Sequence, residues 1–198
     1  MRRLLIATRN KGKFLEIKEI LKGLPFELLN LDDAQKIPKD FDVEEIGKNF
    51  LENAILKAKT FGRMSGFLTL ADDSGLEVKA LTGRPGIYSA RYAETTEKRN
   101  QKLLSELKNI PWSKRAAQFR CVVAIFDPQT KKLASSEGIC QGKIIDKPRG
   151  KHGFGYDPIF YLAKFKKTMA QLKLSQKNVI SHRGKALKKV RKILKKFL

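Results

Sequence analysis

The sequence predicts an α/β fold built on a mixed sheet. Strand-like and helix-like segments alternate through the first half, a hairpin signal appears late, and an amphipathic helix follows it near the end. At 198 residues with 41% hydrophobic content, the chain is long enough to bury a core as one domain over 1–198, or as one compact unit with two lobes. No repeat, low-complexity block or separable linker interrupts it.

Arg3 to Ala7 reads as a short buried strand. A helix follows to about Lys22, with Phe14, Ile17 and Leu21 at helical spacing and Gly23 as its stop. Phe26 to Leu31 predicts a second strand, ended by Asp32-Asp33. A second helix is expected over roughly Gly47 to Phe61, with Phe50, Ala54, Ala58 and Phe61 on one face and Gly62 past its end. Phe67 to Ala71 reads as a strand that ends in Asp72-Asp73-Ser74-Gly75, after which Leu76 to Leu81 continues extended. Gly83-Arg84-Pro85-Gly86 is a turn by its chemistry. Thr95 or Thr96 caps a helix carrying Leu103, Leu104 and Leu107, which stops near Pro111. Phe119 to Phe126 and Leu133 to Ile139 flank Asp127-Pro128-Gln129-Thr130, the hairpin signal. Ser181 opens a final helix with Leu187, Val190, Leu194 and Phe197 on one face.

The formal charge is +22, from 42 basic and 20 acidic residues, and 30 of the basic residues are lysines. Such a field attracts polyanions, whether nucleic acid, an anionic membrane or a small phosphate ester. Past Asp157 there is no acidic residue, against 13 Lys or Arg. A solvated lysine surface accounts for this; nucleic-acid binding is expected to be non-specific at most, since no RNP, KH or zinc pattern is present. The apolar run Leu4 to Ala7 is too short for a signal sequence, and no stretch is long enough to span a membrane, so a cytoplasmic location is expected. Cys121 and Cys140 lie in apolar runs without a CxxC pair, and read as reduced core residues.

Four loops carry chemistry. Ala7-Thr8-Arg9-Asn10-Lys11-Gly12-Lys13 joins the first strand to the first helix, where free N–H groups and the positive end of the helix dipole favour an anion. It lacks the GxxxxGK[ST] pattern of a Walker A loop, and alone reads equally as an ordinary turn with solvated lysines. The acidic pairs Glu44-Glu45 and Asp72-Asp73 suit a hard divalent cation, which takes a few carboxylate oxygens plus waters and phosphates. Glu44-Glu45 equally suits a helix N-terminus, and Asp72-Asp73 an Asx turn. In Gly153-Phe154-Gly155-Tyr156-Asp157-Pro158, Phe154 is placed to stack on a base and Asp157 to accept from a base N–H, unless the loop is simply an apolar turn. Ser181-His182-Arg183 opens the last helix with groups that suit a phosphate or a purine carbonyl.

Taken in order, the runs ATRNKGK (7–13), EEIGKNFLENAILKA (44–58), ADDSGLEV (71–78), GRPGIYSARYA (83–93), FGYDPIF (154–160) and SHRGKAL (181–187) resemble the noncanonical purine NTP pyrophosphatases, the ITP/XTP pyrophosphatases. The resemblance implies an elongated, two-lobed mixed α/β fold with a central nucleotide cleft, usually as a homodimer. It implies Mg²⁺-dependent hydrolysis of ITP, dITP or XTP to the monophosphate and pyrophosphate. It places Thr8, Arg9, Asn10, Lys11, Gly12 and Lys13 on the triphosphate, and Glu45 and Asp73 on the metal. Asp73 becomes the base or water-orienting residue, supported by Asp72, and Ser74 touches the substrate. Phe154, Gly155, Tyr156 and Asp157 frame the purine, while Lys177, His182 and Arg183 close over base and phosphates. Lys151-His152 and the lysine-rich tail depart from the family pattern. Other damaged or pyrimidine nucleotides are the nearest alternative substrates.

Overall fold

β1 (Arg2–Ile6) seeds the sheet: Leu4, Leu5 and Ile6 are all fully buried, as a short apolar run must be when both faces of a strand are covered. In the computed structural model, which describes residues 1–198, the chain continues through α1 (Lys11–Leu21) to β2 (Phe26–Leu29). It then forms α2 (Phe50–Ser65), β3 (Leu68–Val78), α3 (Thr96–Glu106), β4 (Ala116–Phe126) and β5 (Leu133–Ile144). β6 (Phe160–Leu162), β7 (Lys167–Thr168), α4 (Leu174–Ile180) and α5 (His182–Leu194) complete it. The strands form one seven-stranded sheet in the order β2-β1-β3-β4-β5-β6-β7. β1 runs parallel to both β2 and β3, whereas β6 is antiparallel to β5 and β7. The predicted mixed α/β class is the observed one.

Two compact units share these elements: residues 1–73, 121–138 and 183–198 make the first, and residues 74–120 and 139–182 the second. In the first, Leu4, Ile6, Leu68, Leu70, Cys121, Val123 and Ile125 pack with α1 and α5 through Ile17, Leu21, Leu187, Val190 and Leu194. Strand alternation turns Thr69 the other way, and there it meets α2. A Cβ on Gly62 of α2 would come within 2.9 Å of the Phe126 ring and 3.4 Å of Thr69 Oγ1, so this helix approaches the strands through a residue with no side chain. The second unit has its own core of Leu76, Val78, Leu103, Leu107, Phe119, Ile144, Tyr156, Phe160 and Met169.

The lysine-rich end is anchored by its cations. Arg191 Nη1 donates to the carbonyls of Ile20 and Lys22, at 2.7 and 2.9 Å, where the C-terminus of α1 leaves acceptors without helical partners. Lys189 Nζ donates to the Glu137 carbonyl at 2.7 Å. No helix is long and apolar enough to cross a membrane.

Some expected boundaries shift, each for a local reason. α2 begins at Phe50 because Asn49 caps it: the Asn49 Oδ1 accepts from Glu52 N at 2.9 Å, and Glu52 Oε2 takes Lys48 N at 2.8 Å. It runs on to Ser65, capped by Gly66 in the left-handed region, with Gly62 inside the helix instead of beyond it. Asp72-Asp73 do not end a strand; they lie in mid-β3, which continues unbroken to Val78. The hairpin turn is held by Asp127, whose oxygens accept from Gln129 N at 3.1 Å and Thr130 Oγ1 at 2.8 Å. β6, β7 and α4 are too short to announce themselves by periodicity.

Asn49→Ala removes the α2 cap and is expected to lower stability by about 0.5–2 kcal/mol, read as a shifted urea midpoint at unchanged slope.

Candidate active site

In the first unit, the turn from β1 into α1 folds as an anion-seeking loop should. Asn10 caps α1 by accepting from Lys13 N at 3.0 Å, and Thr8 Oγ1 accepts from Asn10 N at 3.2 Å. Lys11 is exposed. The Arg9 guanidinium is directed to the 32–41 segment, donating to Asp32 Oδ1, the Pro38 carbonyl and the Phe41 carbonyl, each at 3.1 Å. Of the loop's cations, Lys11 points to solvent, while Lys13 turns inward to Asp72 of β3.

The adjacent aspartates have opposite surroundings because neighbouring residues of a strand point to opposite faces. Asp72 follows Leu68 and Leu70 toward α1 and α5. Its Oδ2 accepts from Arg183 Nη2 at 3.1 Å and Nε at 3.3 Å, and lies 3.3 Å from Lys13 Nζ. Arg183, 1% exposed, also donates from Nη1 to Glu16 Oε2 at 2.5 Å. Burial alone would raise the Asp72 pKa, but Lys13 and Arg183, with Lys57 behind them, hold it well below the usual carboxylate range. The result is a buried cluster with two cations and two carboxylates.

Asp73 follows Thr69 toward α2. Its Oδ2 accepts from Asn53 Nδ2 at 3.1 Å, and its Oδ1 lies 3.5 Å from Lys57 Nζ. Lys57 also meets Glu45 Oε1 at 2.5 Å, while the second oxygen acceptor of α2's buried face, Asn53 Oδ1, takes Gly47 N at 2.7 Å. The Asp73 pKa is raised, by burial first and by Glu45, against the opposing pull of Lys57, Lys13 and Asn53. For Lys57, burial disfavours the charge, but Asp73, Glu45 and Asp72 outweigh it and raise its pKa, so it stays an ammonium. Glu45 and Asp73 thus both face the Lys57 head group. No cluster of three or more His, Cys, Asp or Glu side chains converges. Glu45 and Asp73 are of the donor type a hard divalent cation takes, together with waters and phosphate, but here the Lys57 ammonium meets both of them.

In the second unit, the loop 153–157 is folded around Asp157. This residue is 2% exposed, and its Oδ2 accepts from Phe154 N at 2.9 Å and Lys177 Nζ at 2.5 Å. The Lys177 ammonium also lies 4.6 Å from the Phe154 ring centroid. Gly153 has φ +77°, and a Cβ there would sit 2.1 Å from Asp157 Oδ2, so only glycine fits. Tyr156 is buried and donates its hydroxyl to the Ser89 carbonyl at 3.0 Å; burial pushes its phenol far above the ordinary value. His182 stacks on Phe119 at 4.7 Å between centroids. Ser74, half-buried, begins this unit's share of β3.

The model of the Ham1 family matches residues 4–193. The chain belongs to the Ham1 family. It is 52% identical over 190 residues to a dITP/XTP pyrophosphatase of Geobacter sulfurreducens, covering 94% of each chain. It is 46% identical to a dITP/XTP pyrophosphatase of Desulforamulus reducens, over 98% of this chain and 96% of the relative. Among solved structures, a HAM1 protein of Coxiella burnetii superposes with a TM-score of 0.88 at 38% identity, over 99% of this chain and 100% of that one.

Within this Ham1-family chain, the structure brings Asn10, Lys13, Glu45, Asp72, Asp73 and Arg183 into the first unit, and Phe154, Tyr156, Asp157, Lys177 and His182 into the second. Sequence reasoning missed Glu16, Asn53 and Lys57. Their signal was present: Asn53 and Lys57 stand four apart on the apolar stripe of α2, and Glu16 precedes Ile17 on the buried face of α1. A polar residue among buried apolar neighbours calls for a partner.

Asp72→Asn leaves Arg183 and Lys13 over-charged beside Glu16, and is expected to cost about 3–5 kcal/mol at neutral pH. A depressed folded pKa gives stability that is present above the unfolded value and is lost as pH falls. Urea titrations should therefore show the gap between wild type and Asp72→Asn narrowing below about pH 4.

Proposed function

We propose that the protein is a metal-dependent pyrophosphatase that converts noncanonical purine nucleoside triphosphates, dITP, ITP and XTP, to the monophosphate and pyrophosphate. The observation that supports this most directly is the divergence of Asp72 and Asp73. One is locked as an anion by Lys13 and Arg183; the other has a raised pKa beside Glu45 and Lys57. The pyrophosphatase names carried by relatives at 46–52% identity support the substrate class. The same reading has one catalytic domain acting as a homodimer in the cytoplasm.

Thr8, Asn10, Lys11, Gly12 and Lys13 hold the polyphosphate with backbone donors and lysine charge, and the Arg9 backbone belongs to the same turn. Glu45 and Asp73 would hold Mg²⁺, which when bound supplies charge neutralisation at the phosphates. Asp73 orients the attacking water and takes its proton; the water oxygen bonds to the α-phosphorus as the bond to the bridging oxygen breaks and pyrophosphate leaves. Lys57 then keeps a positive charge near Glu45 and Asp73 through the reaction. Ser74 touches the substrate beside them.

Phe154 stacks on the purine, with Gly155, Tyr156 and Asp157 shaping its pocket and Lys177 and His182 supplying donors. A donor-rich pocket accepts the 6-keto oxygen of hypoxanthine and xanthine. The 6-amino group of adenine would leave those donors without acceptors, which is what makes rejection strong. Arg183 acts here through Asp72, which supports Asp73 along the strand.

Asp73→Asn is expected to abolish Mg²⁺-dependent pyrophosphate release from dITP with circular dichroism unchanged; retained turnover would remove Asp73 from its role. A kinetic panel of ITP, XTP, dITP, GTP, ATP and dUTP tests the base reading. The keto purines ITP, XTP and dITP should exceed ATP by about 10²-fold or more in kcat/KM, and comparable values for ATP would defeat it.

A further inference from the structure

The 153–157 loop is also held from outside its own sequence. Asn100 of α3 donates from Nδ2 to the Gly155 carbonyl at 3.2 Å. Asn100 is 7% exposed and shares the inner face of α3 with Leu103; Leu103 and Leu107, the latter just past the helix end, are both fully buried in the core that contains Tyr156. Leucine is the residue type such a core position ordinarily takes. The amide instead carries a desolvation cost, and its buried Oδ1 meets no partner in the protein. What the amide contributes is its donor, and the acceptor is a backbone carbonyl of the loop.

Gly155 needs such a tether. It has φ +62°, no side chain, and open space where a Cβ would point, so packing does not fix its peptide plane. On one side of it, Phe154 is held through its N–H by Asp157; on the other, Tyr156 is held through its hydroxyl by Ser89. Asn100 closes the interval between these two fixed points.

We propose that Asn100 is a positioning residue for base recognition, setting through the Gly155 carbonyl the attitude in which Phe154 and Asp157 meet the purine. This rests on the reading that the loop frames the base. Asn100 touches no substrate itself, and its effect belongs to binding and selectivity rather than to the chemical step.

Steady-state kinetics on dITP and ATP, with thermal melts, test this in wild type, Asn100→Leu and Asn100→Asp. Both variants lose the donor; the first adds apolar packing and the second keeps the shape. The KM for dITP should rise about tenfold, the scale of one neutral hydrogen bond, with kcat within about twofold. The dITP-to-ATP ratio of kcat/KM should fall by a similar factor, and Asn100→Leu should melt no lower than wild type. Should Asn100→Asp fail to fold, Asn100→Leu carries the comparison. Variants with wild-type KM and selectivity, differing only in melting temperature, would overturn the role of Asn100 alone. A wild type with no preference for dITP over ATP would overturn the base-loop reading and this proposal together.

Discussion

Arg183, Lys13, Asp72 and Glu16 meet next to the first core, and the arrangement of the β1–α1 turn against β3 and α5 depends on their balance. An isolated ion there would be driven to neutralise; Asp72 and Arg183 favour their charged forms because each lies against groups of opposite sign. The cluster ties α1, β3 and α5 together through residues 111 and 167 positions apart. Lys13 and Arg183 hold the Asp72 carboxyl well below the usual carboxylate range, whereas the Asp73 carboxyl is raised by burial. Replacing the cluster with hydrocarbon of the same volume could preserve the fold, but it would remove the fixed charge against which Asp73 is set.

The period of a β-strand does the sorting. Residues at 68, 70 and 72 look toward α1 and α5, while those at 69 and 73 look toward α2, so two identical side chains one peptide apart enter different electrostatic surroundings. Had β3 ended at Ala71, as its turn-like residues Asp-Asp-Ser-Gly led us to expect, both carboxylates would sit on a loop with similar exposure. The unbroken strand gives one aspartate a pKa lowered by Lys13 and Arg183 and the other a pKa raised by burial.

Much of this was legible in the residues. Apolar periodicity gave β1, α1 and α5 close to their observed limits, because those elements bury one face or both; the hairpin was found at its turn, but its strands run further, to Ala116 and Ile144. The ends of α2 were displaced because side-chain capping by Asn49 outweighs the turn preference of Gly47, and because Gly62 answers to the nearby Phe126 ring and not to a helix end. The site was legible as a set of loops, but not as a set of partners. The sequence did not show that Arg183 pairs with Asp72 and Glu16, or that Asp157 accepts from Phe154 N within its own loop and from Lys177. Lys57, Asn53 and Glu16 lay hidden in helices, since their meaning comes only from what stands opposite them across dozens of residues.

The two cysteines acquire a use from their placement. Cys121 is fully buried in the first core, with its sulfur 3.8 Å from Asp72 Oδ2, and burial together with that carboxylate pushes its thiol far above the ordinary range. Cys140 lies in the second core, 4% exposed. Neither offers a thiolate to a reagent while its unit is closed. Each unit therefore carries one silent chemical clock, and the alkylation rate at either sulfur measures how often the surrounding core opens, separately for each unit.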